Sequence, residues 1–493
     1  MITEPARTAD GHDPAPVRPT RRPLALGVLS GALALDIGGL NIVNAALPRI
    51  GTHLGLDDAT LQWTMTAYAA TFAGFLLLGG RLADVLGRRF VFTAGIALFT
   101  VAALGAALAP SVIVLIVARA LQGVGAALCG PAALALLTEV FPERTARDRA
   151  FGVYAAVGAA SGSAGFVLGG ALTQFFGWRS VFVFCVVSGV AVLAAVHAAL
   201  PAGVRNRQPI DLPGAAAVTA GLLLAVFGVS HGAQAGWNRA GTLLPLATAV
   251  VLLAAFVLWE RRVSQPLLPF AIFRAAPVRA GALAAFLLTT AAIGLQFFAP
   301  LYLQGVLGYS PFRSGLAVLP LSLSVFVTAK FCTGRLLSRI EQRPLLVAGL
   351  VLIAIGVATW AWTSVGGDYW LRMLPGLVVM GVGIGVVFPT MTAAALTGVA
   401  QQRHGVAGAV NVTAQQAGAS VGVAALVVAA AGSTGTGAAR LPGYHAAYLT
   451  AGVACALGAL VIGLARRWNS DATPMTATPP QEKASAATRD ALR

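Results

Sequence analysis

GRLADVLGRR, Gly80 to Arg89, sets three arginines and an aspartate between two flanks, 61–80 and 90–109, that carry no charged side chain. Each flank is about twenty residues long, which as a helix rising ~1.5 Å per residue matches the ~30 Å hydrocarbon core of a bilayer. No water is present at that depth to satisfy exposed backbone, so each flank reads as a helix that satisfies its own hydrogen bonds. The charged stretch is then a tight polar loop joining two membrane spans.

The same alternation of apolar run and polar break extends through the chain. Of its 493 residues, 57% are hydrophobic and only 10% charged, and the mean hydropathy is +0.81. Such a composition excludes a soluble globular protein and predicts an all-α polytopic membrane protein. Cutting at charged, Pro-rich and Gly-rich breaks gives fourteen segments, the first at 24–48 and the last at 446–465. The first apolar stretch is too long for a secretory signal and has no small-residue cleavage pattern, so it is expected to remain as a span. An even count puts both ends of the chain on one side of the membrane.

The net charge of +16 is informative through its placement. With both ends on the cytoplasmic side, only Arg49, Arg179, Arg239, Arg313, Arg372 and Arg440 fall in outer loops, and Arg119 and Lys330 fall within spans. Every other basic residue lies in an inner loop or a tail. That asymmetry is the positive-inside signal of a cytoplasmic membrane protein, so the basic excess encodes orientation and implies no nucleic acid partner.

An echo of the opening motif, GRLLSR (Gly334 to Arg339), follows the tenth span, again on the inner side. The chain therefore divides into a six-helix half over 23–200, a linker with two inserted spans over 201–264, and a second six-helix half over 265–467. Tails 1–22 and 468–493 are polar and Pro-rich or Ala- and Thr-rich, and are expected to be disordered and cytoplasmic. Repeated halves of this kind are a secondary-transporter architecture, with substrate held near the midplane between them. There is no GxxxxGK[ST] phosphate loop, so transport powered by ATP on this chain is not expected. Cys129, Cys185, Cys332 and Cys455 lie singly in apolar segments without CxxC spacing or a nearby His, and read as small buried hydrophobes. No motif pairs a nucleophile with a base or gathers metal ligands; no cofactor, metal site or enzymatic activity is expected.

One acid stands well inside a span. In LDIGGLNIVN (Leu35 to Asn44), Asp36 sits where a charge costs several kcal/mol, while the neutral acid costs far less. A carboxyl group there can hold a proton and give it up as its surroundings change. The alternative is a structural acid that stays protonated or hydrogen-bonded. Asn44 lies two turns on along the same face and Asn41 beside it, so that face is polar and is expected to meet the cavity. Arg119 is the other deep ionisable group of this half; it stays charged and needs a partner, with Asp36, Gln122 or a backbone carbonyl as candidates. Lys330 reads as a snorkelling cation.

The GGRLADVLGRR loop resembles the signature between spans 2 and 3 of the major facilitator superfamily, with Gly80, Asp84, Gly87, Arg88 and Arg89 on the matching positions. LDIGGLNIVNAALPRI, QWTMTAY with Trp63 and Tyr68, ARALQGVGAA with Arg119 and Gln122, and the segment from Tyr302 to Pro320 are similar to the fourteen-span drug:proton antiporter branch, in the same order. The resemblance covers residues 24 to 466. It implies proton coupling through Asp36, biased toward proton release by Arg119. The fifth span, SGSAGFVLGG, keeps Gly165, Gly169 and Gly170 for close helix packing but has Phe166 where antiporters of this superfamily usually carry a proline, which bears on the expected bend.

The motif loop is expected to act as a conformational latch, Asp84 accepting from Arg88 or approaching a helix N-terminus; the alternative is a plain topology signal. Trp63, Tyr68, Gln296, Asn411 and Gln415 are expected to line a substrate cavity with Asn41, Asn44 and Gln122. With a single deep acid to serve coupling, the cargo is expected to be a lipophilic neutral compound or monocation. The sequence thus reads as a monomeric proton-coupled drug exporter with lipid, small lipophilic substrate and protons as its partners. The rivals are a symporter or facilitator, and a non-transporting membrane sensor on the same fold.

Overall fold

The computed structural model describes residues 21–201, 211–263, 270–399, 404–430, 433 and 437–465, and these are helical with no strand among them. The expected tails lie outside the described residues, except for Arg21 and Arg22. Helix α1 spans Arg22–Leu54, α2 Trp63–Leu86, α3 Arg88–Ala107, α4 Val112–Val140, α5 Arg144–Phe176 and α6 Ser180–Ala199. Next come α7 (Leu212–Ala235), α8 (Ala240–Glu260), α9 (Ala276–Gly305), α10 (Pro311–Leu337), α11 (Gln342–Trp362) and α12 (Tyr369–Leu396). The run α13 begins as His404–Ala417 and continues through Gly418–Gly422 and Val423–Ala430; α14 is Leu441–Leu464. Ten of the described helices are long and apolar enough to cross a membrane. The protein is a multi-pass membrane protein.

Helix ends follow local chemistry. Gly87 separates α2 from α3 at φ 99°, in the left-handed region that a side chain disfavours. Helix α1 runs past the expected boundary at 48 to Leu54, because Pro48 lies near its end and interrupts little of the ladder, and stops at Gly55 with φ 65°. Within α10 the backbone widens to a π turn at Thr328–Thr333, where Thr333 Oγ1 donates to Gly385 O at 2.8 Å. Lys330 on this turn is exposed and lies against the rings of Phe326 and Phe331, consistent with a cation reaching out along an apolar surface.

Loops collect at two faces. At the face where α1 begins, Arg22 pairs with Glu143 at 3.0 Å, and Gln342 at the start of α11 donates to Thr397 beyond α12 at 3.0 Å. Hydrogen bonds from Arg22 hold the Glu143 carboxyl below its ordinary range, so this contact is present at neutral pH and is lost only as pH falls. It is a surface pair and contributes little. At the opposite, far face, Arg179 donates to Ala109 O at 3.0 Å and Tyr302 to Ser364 O at 2.9 Å.

Helices α1 to α6 pack as one bundle and α9 to α14 as another. Toward the far face one apolar core crosses between them: Ile42, Leu47, Ile50 and Phe166 share it with Phe298, Tyr302, Val318 and Leu321. At the terminal face the cores are separate, one around Val28, Leu29, Phe92 and Leu137, the other around Ile272, Val278 and Val410. The bundles thus share a core at the far side and keep separate cores at the terminal side, where the first part of α13 still meets α2. Helix α7 lies across the flank, with Thr219 Oγ1 donating to Gly74 O of α2 at 2.6 Å and other contacts to Val423–Ala430 of α13.

Candidate functional site

Helices α2 and α4 come together where Gly123 has no side chain: a Cβ there would strike Tyr68 O and Thr71 Oγ1. Thr71 Oγ1 donates across the seam to Ala120 O at 2.8 Å. This close approach brings Tyr68 beside Arg119, whose guanidinium carbon lies 4.4 Å from the Tyr68 ring centre. Arg119 is only 1% exposed, and its Nε donates to Thr64 O at 2.9 Å and its Nη1 to Gln122 Oε1 at 3.0 Å.

The Tyr68 hydroxyl donates to Asp36 Oδ1 on α1. Asp36 and Arg119 therefore communicate through a phenol, since no ion pair joins them. Of the three partners open to Arg119 from sequence, the structure selects Gln122 and a backbone carbonyl. Two donors remain unmatched in this buried group, Arg119 Nη2 and Gln122 Nε2. A charge confined by aromatic and amide contacts, one ring away from a carboxyl group, can alter the balance between protonated and ionised acid without neutralising it.

The other expected residues distribute around this centre. Asn44, fully buried, donates to Gln296 Oε1 at 3.3 Å, a hydrogen bond from α1 to α9 that joins the two bundles. Asn41 donates to Ile37 O at 3.2 Å and lies against α5, whose Gly165 would put a Cβ 2.9 Å from Asn41 Cβ. Trp63 meets Phe227 of α7 at 5.9 Å between ring centres. On α13, Asn411 is buried with Oδ1 unpartnered, and the backbone carbonyl of Gln415 accepts from Thr289 of α9 at 2.7 Å. Asp36, Tyr68, Arg119 and Gln122 are thus one connected group and Asn44 with Gln296 another; Asn41, Trp63, Asn411 and Gln415 bond to neither.

The fifth-span glycines serve two neighbours. A Cβ at Gly165 would come 2.7 Å from Gly38 O, and one at Gly169 would strike the Ile42 backbone, both on α1. Gly170 faces Pro311 of α10, where Gly315 in turn lies against Phe166 O. Phe166 is 4% exposed and α5 is continuous from Arg144 to Phe176, so this position serves the contact between bundles.

In the motif loop, Arg88 reaches Glu139 Oε2 of α4 at 3.4 Å and Ala135 O at 3.5 Å. The Asp84 side chain lies outside the described residues. Arg89 is half-buried, and its carbonyl accepts from Thr93; a Cβ on Gly80 would make ordinary contact with Pro131 at 3.6 Å. The Arg88 contact stays within one bundle. Sequence reading missed Glu139 and the bridging position of Tyr68. Gly123, one turn after Arg119, was the available mark of a close neighbour. Among the described residues no three His, Cys, Asp or Glu groups gather as metal ligands.

The profile of the Major Facilitator Superfamily matches residues 29–423. The chain is 38% identical to the puromycin resistance protein of Streptomyces alboniger, over 94% of this chain and 93% of that one. It is 36% identical to the cephamycin export protein of Amycolatopsis lactamdurans, covering 85% and 87%. A peptide transporter crystallised with sulfate shares the fold at a TM-score of 0.68 and 16% identity, over 89% of this chain and 93% of that one. With the fold, the family match and relatives named for antibiotic resistance and export agreeing along nearly the whole chain, this protein belongs to the major facilitator superfamily.

Proposed function

We propose that the chain exports lipophilic compounds, neutral or singly charged, across the cytoplasmic membrane in exchange for protons. Each of α1 to α14 crosses the membrane once, with both ends cytoplasmic. Residues 23–200 and 265–467 act as the two moving halves, and 201–264 carries the inserted pair. Asp36 takes up a proton and releases it, with Arg119 acting on it through Tyr68, as the halves rock about the Asn44 and Gln296 contact. The cavity opens in turn to either side. The observation that carries this reading is the carboxyl group within α1, bonded by Tyr68 and one ring away from a buried guanidinium. Relatives named for puromycin resistance and cephamycin export support the cargo class.

The test is transport in proteoliposomes of the purified chain, with puromycin and ethidium as probes. An imposed pH gradient, acid inside, should drive both probes inward in wild type, and Asp36→Asn should lower the initial rate at least about tenfold. Uptake by Asp36→Asn at the wild-type rate would refute the coupling role.

A further inference from the structure

We propose that the crevice between α1 and α4 is a water site connecting Asp36 to solvent at the terminal face, with Gly130 as its open mouth; this rests on Asp36 being the proton carrier. Tyr68 occupies Asp36 Oδ1, and Oδ2 accepts no hydrogen bond among the described residues. Asp36 lines a small cavity together with Leu35 of α1, Phe99 of α3 and Ala126 of α4. Its dimensions suit a single water molecule. Besides Asp36, the Cys129 thiol and Tyr154 of α5 supply the polar side chains of its lining, with Tyr154 on the terminal side. Around Asp36 the ionisable groups are Tyr68 from α2, Arg119 and Cys129 from α4, Tyr154 from α5, and Cys185 of α6 in the cluster that holds Leu35 and Tyr68.

Two further observations give the crevice its direction. Toward the far side the bundles are joined by the shared core and by the Asn44 bond to Gln296, so in this conformation a proton reaches Asp36 from the terminal side. Leu33, Asp36 and Gly130 are half-buried, whereas the rest of the cavity wall is buried. A Cβ at Gly130 would meet nothing within 4 Å, while one at Gly125 in the same helix would lie 2.7 Å from Gly95 O. Packing therefore requires the glycine at 125, whereas at 130 the space beside the helix is open and the absence of a Cβ also eases the helical turn before Pro131.

Hydrogen–deuterium exchange of the protonated Asp36 carboxyl group, followed by infrared difference spectroscopy on the reconstituted chain, tests the proposal without a transported compound. The band is assigned by its loss in Asp36→Asn. Gly130→Leu should make exchange wait for local opening of α1 from α4, slowing it at least about tenfold, with Gly130→Ala slowed less. Gly152→Leu, at an exposed position of α5 where a Cβ also meets nothing, is the control and should exchange as wild type. Gly130 variants exchanging at the wild-type rate, or a control slowed as much as Gly130→Leu, would overturn the water site while leaving the transport reading intact. If no band titrates between mildly acidic and mildly alkaline pH, the proton-carrier reading fails and the water site fails with it.

Discussion

At the scale of single residues, Tyr68 does two jobs that substitution can separate: its hydroxyl bonds Asp36 and its ring seats Arg119. Tyr68→Phe keeps the seat and removes the bond, so stability should stay near wild type while pH-driven uptake slows. Tyr68→Leu also removes the cation–π contact, worth about 0.5–2 kcal/mol, and should lower the thermal unfolding midpoint as well. Measuring both variants by thermal melting and by uptake checks the separation; equal melting would show that the ring contact carries nothing. Arg119→Ala should be more damaging, because it strips Thr64 O and Gln122 of a buried donor at about 1–3 kcal/mol for each group left unsatisfied. Asp36 and Arg119 stood out in the sequence because an ionisable group inside an apolar helix has few bland explanations. Tyr68 was expected in the cavity lining, but its bond to Asp36 was not legible, since helix rotation decides what its hydroxyl meets. Arg88 shows the same limit: the Asp84 side chain lies outside the described residues, and the Arg88 contact to Glu139 on α4 joins positions far apart in the chain.

At the scale of helices, α5 divides its small residues between two partners one residue apart. Gly169 lets α1 approach within the first bundle, and Gly170 lets α10 approach from the second. Adding a methyl group should therefore have different consequences at adjacent positions. Overpacking costs about 1–3 kcal/mol. For Gly169→Ala that cost should appear as lost thermal stability of the purified chain. For Gly170→Ala it should appear as weaker closure of the far face, because the clash is relieved when the bundles part. A maleimide added at that face should then label a cysteine at 312 faster, by about tenfold for ~1.4 kcal/mol. Similar labelling in the two variants would contradict this division. Glycine spacing announces close packing in the sequence, but the side of the helix each glycine faces is fixed by the tilt of α5 against two neighbours, which no spacing within one helix encodes.

At the scale of the molecule, apolar runs broken by short arginine-bearing loops made an all-helical membrane body legible, because burial in lipid constrains every turn of every spanning helix. The conformation was not legible, since a sequence shows which helix faces can pack and not which of them are packed together in one state. In this state the shared core and the bonds of Phe312 N to Gln174 Oε1 and of Gln304 to Ala45 O join the bundles toward the far face. If the halves must separate there once in each cycle, a covalent tie across that seam should stop transport while leaving the protein folded. Cysteines at 174 and 312, joined by a short thiol-specific linker in a chain whose exposed Cys332 has been replaced, provide the tie. Uptake should fall at least about tenfold on linking, since the state open to the far side is removed from the equilibrium, and a cleavable linker should restore it on reduction. Each single-cysteine chain treated with the same linker should transport normally. Undiminished uptake after complete linking would mean that cargo crosses without the far seam opening, and alternating access by these two bundles would have to be abandoned.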